Sequence, residues 1–172
     1  MTDPPRPAPD RLATRIGQAV ILHRAGDREE ARSRLAALWA ELQGGPAAQG
    51  DPVVPGGPAV GGALARCTVA HYLAGTQEDP YTRLQWHLRA LSAARGHREP
   101  ADGRSEEPSP AMRALYPLLC LGLADGYAEL GERAAARREL ARARAALVAL
   151  PDEGRRADLQ AAADRLARRL DP

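Results

Sequence analysis

Apolar and small residues recur at intervals of three and four along most of this 172-residue chain, and glycine or proline cuts each run short. That spacing keeps one face of a helix inward. Leu12, Ile16, Ala19, Val20 and His23 form the first such face. Ala31, Leu35, Leu38, Trp39 and Leu42 form the second. Between them Gly26 suits the left-handed conformation that ends a helix, and Asp27 with Glu30 makes a capping-box pattern, so the two helices are expected to fold back as a hairpin. Asp10 is the expected cap of the first.

Alanine, leucine and arginine dominate, while β-branched and aromatic residues are scarce, which favours helix over strand. An all-α, single-domain fold follows from that bias and from a length that suits one core. Lysine, asparagine and phenylalanine are absent, and isoleucine occurs only at Ile16 and Ile21. Their codons are rich in A and T, so a GC-rich bacterial genome accounts for the arginine without any functional appeal.

The segment 44–62 breaks the pattern, since eleven of its nineteen residues are Gly or Pro. It reads as a flexible loop that cannot offset its ordering entropy by burial. Gly56, Gly57, Gly61 and Gly62 do not make a phosphate loop, because that motif needs a lysine. A third helix is expected from about Ala63 to Gly75. A fourth opens with Asp79 as cap and Pro80 at its first position, and carries Leu84, Leu88 and Leu91. After a second, polar loop at 96–110, Ser109 and Pro110 start a fifth helix with Leu115, Leu119, Leu123, Tyr127 and Leu130 on one stripe. Gly131 ends it. A sixth helix runs from about Ala134 to Ala149, and a last one over about 153–170 has a single apolar face, as a closing cap would. Residues 1–9 read as a disordered tail, with the domain spanning 10–172 and helix pairs at about 10–42, 63–95 and 110–149.

Recurring hairpins invite a test for internal repetition. In the third pair Leu123, Ala124, Tyr127, Gly131, Ala136, Leu140 and Ala143 fall at the spacings of the tetratricopeptide motif. The first pair follows more loosely with Ala19, Leu22, Gly26, Ala31 and Leu35, and the second with Val69, Ala70, Leu73, Leu84, Ala90 and Leu91. The chain resembles the tetratricopeptide repeat family, with its turn positions Gly26, Gln77 and Gly131 spaced more widely than the ~34 residues of a compact array because of the two loops. The resemblance implies a TPR-like helical-hairpin α-solenoid of three pairs plus a C-terminal capping helix. It also implies a concave groove built from the first helix of each pair, where the family binds extended or helical peptides. Projected groove positions are Val20, His23 and Arg24 on the first helix, Cys67, His71 and Thr68 on the third, and Leu121, Asp125 and Glu129 on the fifth. His71 and Asp125 occupy the same repeat position. They either share a ligand or satisfy each other. The lysine and asparagine that clamp a terminal carboxylate in chaperone-binding members have no counterpart here.

Other chemistries find little footing. A formal charge of +2, from 24 basic and 22 acidic side chains, is too balanced for a dedicated nucleic-acid binder. No apolar run reaches membrane-spanning length, and the first ten residues lack the apolar stretch of a secretory signal. Cys67 and Cys120 are too few and too far apart for a disulfide framework, which suits the cytoplasm. Cys67 and His71 stand at i and i+4, the spacing of two metal ligands or of a nucleophile and its base. Completing a metal site would need His87, Cys120 or Asp125 to converge, and no orienting residue supports catalysis. Trp39 and Trp86 are read as core residues, and Arg133, Arg137, Arg138, Arg142 and Arg144, interleaved with Glu132 and Glu139, as a solvated helix face. The expected function is a cytoplasmic adaptor that binds another protein or peptide, without cofactor, metal or catalysis. The alternative is a structural subunit that forms a homo-oligomer, which light scattering would distinguish.

Overall fold

The structure, a computed structural model, describes residues 8–44, 58–96 and 109–171. Seven helices occupy them: α1 (Ala8–Arg24), α2 (Arg28–Gly44), α3 (Pro58–Thr76), α4 (Pro80–Gly96), α5 (Pro110–Glu129), α6 (Arg133–Leu147) and α7 (Glu153–Leu170). There is no strand among the described residues. Of the segments read as loops or tail, residues 1–7, 45–57 and 97–108 lie outside the described ones.

Local chemistry sets most of the boundaries. Gly26 and Gly131 adopt φ of +92° and +78°, the left-handed turn that β-carbons disfavour, and each ends one helix just before the next begins. Asp27 Oδ1 accepts the Glu30 amide at 3.3 Å, while the Glu30 carboxylate turns to Arg34, so half of the capping box is made. Asp79 accepts both the amide and the hydroxyl of Thr82, at 2.7 and 2.6 Å. Asp152 accepts from the Arg155 amide at 2.9 Å, and Ser109 Oγ from the Met112 amide at 3.2 Å ahead of Pro110. Ser109→Ala strands that amide at the start of the central helix and is expected to cost about 1 kcal/mol in urea denaturation.

Two starts differ from the sequence reading. Helix α1 begins at Ala8, so Asp10 falls inside it and does not cap it. Helix α3 begins at Pro58, five residues before Ala63, and absorbs Gly61 and Gly62 from the expected loop. Each helical glycine costs about 1 kcal/mol relative to alanine. Against this, proline needs no hydrogen bond at a helix start, and Ala63 is buried at the edge of the core.

Each helix packs on its neighbours in sequence, and α1 also touches α3, α3 touches α5, and α5 touches α7. No such contact joins α2, α4 and α6 to one another. The odd-numbered helices therefore make a continuous layer. Leu35, Leu38, Val69 and Leu73 fill the core between α1, α2 and α3, while Cys67, Ala90, Met112 and Leu119 fill that between α3, α4 and α5. Cys120, Leu140, Ala143, Leu166 and Leu170 join α5, α6 and α7. Trp39 and Trp86 meet edge to face at 5.3 Å and pack on both of the first two clusters.

The arginines of α6 are exposed, as the sequence reading expects, and two of them also bridge to α7. Arg137 donates to the Leu170 carbonyl at 2.8 Å and Arg144 to Asp164 at 2.8 Å, tying α6 to α7. Glu139 is buried and paired with Arg142.

Candidate functional site

Two clefts open on the layer of odd-numbered helices. The first, about 490 Å³, lies between α1 and α3 and is walled by Leu12, Ile16, Val20, Leu64, Thr68 and Tyr72. The second, about 420 Å³, lies between α5 and α7, where Leu121, Asp125, Leu159, Arg165 and Arg169 meet His71 of α3. His71 and Tyr72 are consecutive residues whose rings lie 5.3 Å apart, so one turn of α3 contributes to both clefts. Among the described residues no helix is long and apolar enough to cross a membrane.

The structure brings His71 and Asp125 to one cleft but does not pair them. Asp125 accepts from Arg169 of α7 at 2.6 Å. His71 instead meets Tyr72 edge-on and His87 of α4 at a tilt, 5.8 Å away, and its Nδ1 is buried without a hydrogen-bond partner. Burial, with help from His23 and Arg155, holds its pKa down to about 4, so the imidazole is neutral near pH 7. His87 is pushed down to about 3 by burial, then by His71 and Arg83. Its ring rests on Gly122 of α5, where an added Cβ would force the imidazole to shift. His23, at the end of α1, meets Tyr72 edge-on at 6.5 Å and leaves its Nδ1 equally without a partner. Three imidazoles and one phenol thus gather around α3, with His23 reaching in from α1 and His87 from α4. The signals in sequence were the small residues opposite the rings, Gly75 below His23 and Gly122 below His87.

Of the remaining projected groove residues, Val20, Thr68 and Leu121 line the clefts, and Arg24 is exposed at the end of α1. Cys67 does not reach the groove. It is fully buried against α4 and α5, and desolvation raises its thiol to about 12. Glu129 is held by Arg83 of α4, at 2.7 Å, and lines neither cleft, while Arg83 also donates to the Gln77 carbonyl at 3.0 Å.

Cys67 and His71 do not form a pair, since one points into the core and the other into a cleft. Cys120 is also buried, with its thiol raised by desolvation to about 11. Protonated and enclosed, neither thiol is poised as a nucleophile or a metal ligand. Among the described residues no group of three or more His, Cys, Asp or Glu side chains could hold a metal ion. The clefts present apolar walls, a half-buried neutral imidazole, and the guanidinium of Arg165 beside the Asp125–Arg169 pair.

Comparison of the chain with protein-family models, with curated proteins and with solved structures finds no match.

Proposed function

We propose that this chain is a protein-binding scaffold of the tetratricopeptide kind, which takes an extended or helical segment of a partner along the layer formed by α1, α3, α5 and α7. The observation that carries this reading is the placement of both clefts on that layer, joined through His71 and Tyr72 on α3. Apolar side chains of the partner fit the α1–α3 cleft, and a mixed-charge stretch fits Asp125 and Arg165 in the other. The motif spacing at Leu123–Ala143 and the left-handed glycines at two of the three turns within helix pairs support the family assignment.

The test is capture from a lysate of the native host by the wild-type chain and by a Thr68→Arg, Asp125→Ala double variant. Thr68 is only partly buried and the Asp125–Arg169 pair is exposed, so circular dichroism should show the variant folded. Arg138→Glu on α6 serves as the control. A protein retained by wild type and control but lost by the double variant supports the reading. Identical capture by all three overturns it and moves attention to α2, α4 and α6.

A further inference from the structure

The two tryptophans of the chain meet in a separate cleft, built by α2, α3 and α4. Its volume is about 620 Å³ and it is open to solvent. Trp39 and Trp86 form an apolar wall with their rings 5.3 Å apart at an interplanar angle of 86°. The guanidinium carbon of Arg89 lies 4.5 Å from the centre of the Trp86 ring, and Arg66 of α3 lines the same cleft. Gln43 and Ser92 add an amide and a hydroxyl.

The charge of this cleft is one-sided. In the α5–α7 cleft, by contrast, Arg169 is neutralised by Asp125 within the cleft itself. Arg66 and Arg89 have no acidic partner among the described residues, and no carboxylate lines the cleft with them. The seat over the Trp86 ring restrains the Arg89 guanidinium and lowers the entropy lost when it grips an oxyanion. Two unneutralised guanidinium groups beside an indole wall ask for a ligand that carries negative charge and apolar surface together.

We propose that this cleft binds an acidic peptide segment, with carboxylates on Arg66 and Arg89 and a neighbouring apolar side chain against Trp39 and Trp86. An open cleft of this volume between three helices has room for the side chains of a passing segment. The site is independent of the clefts on the odd-numbered layer.

Both tryptophans line the site, so indole fluorescence reports on it alone. The probe is an acetylated, amidated peptide Glu-Leu-Glu-Glu-Leu-Glu, titrated beside its Gln-Leu-Gln-Gln-Leu-Gln counterpart and beside inorganic phosphate, with calorimetry as a second readout. The expected result is a saturable change with the acidic peptide only, weakened by salt and about tenfold weaker in Arg66→Ala and in Arg89→Ala. Arg89→Lys, which keeps the charge and loses the planar fork, should be weakened as well. No response, an equal response to the glutamine peptide or to phosphate, or titrations unchanged in both alanine variants would overturn the proposal. Arg66 and Arg89 are surface side chains without ion pairs among the described residues, so these variants are expected to keep wild-type helicity.

Discussion

Acidification should begin to destabilise this protein well above the pH at which its carboxylates protonate. His71 and His87 are held neutral in the fold, at about 4 and about 3, whereas in the unfolded chain each takes up a proton near the ordinary value of 6.5. Below pH 6.5 the unfolded state therefore binds more protons than the folded state, and stability falls as pH falls. Each histidine contributes at most about 1.4 kcal/mol per pH unit, so the pair removes about 2–3 kcal/mol per unit between pH 6 and pH 4. A loss of that size rivals the ~5–15 kcal/mol that holds a domain of this kind together. Urea midpoints measured at pH 7.5, 6 and 5 should fall steeply, with helicity lost by about pH 4. His87→Gln should roughly halve the slope. A midpoint that is flat from pH 7 to pH 5 would show that the imidazoles are not enclosed as described.

Gly122→Ala is expected to destabilise the fold by about 1–3 kcal/mol, against the usual direction of a helical Gly→Ala change. The new methyl would stand 2.4 Å from His87 Cε1 and 2.7 Å from its Nδ1. The ring is only 7% exposed and already lies against His71, so it has little room to yield. Gly17 in α1 gives the comparison, because open space surrounds the position of its missing Cβ. There the same substitution should stabilise by about 0.5–1 kcal/mol. Combining Gly122→Ala with His87→Ala removes the clash, so the double-mutant cycle should show a favourable coupling of about 1–2 kcal/mol. Additive effects in that cycle would mean that the two residues do not touch.

The features legible in sequence are those decided within a few residues. Asp79, Ser109 and Asp152 cap helices because an acceptor three residues ahead of an amide suffices, and Gly26 and Gly131 turn the chain because only their own φ matters. What sequence did not disclose depends on partners distant along the chain. Glu129 stands one turn beyond Asp125 on the fifth helix, yet Arg83, 46 positions away, takes its carboxylate. The choice between His71 pairing with Asp125 or not was settled by Arg169 from α7, which reaches the carboxylate first. Cys67 and Thr68 are neighbours, but about 100° of helical rotation sends one into the core and the other into a cleft. The meeting of His23, His71 and His87 requires three helices to be in place at once.

Every helix touches only those one or two places from it in sequence, and α1 never meets α7. Few distant segments must find each other before burial begins, so the entropy lost in closing large loops stays small and assembly can start at any adjacent pair. An isolated injury to one end is then felt at the other only by relay through α3 and α5, the two helices that hold His71 and Gly122.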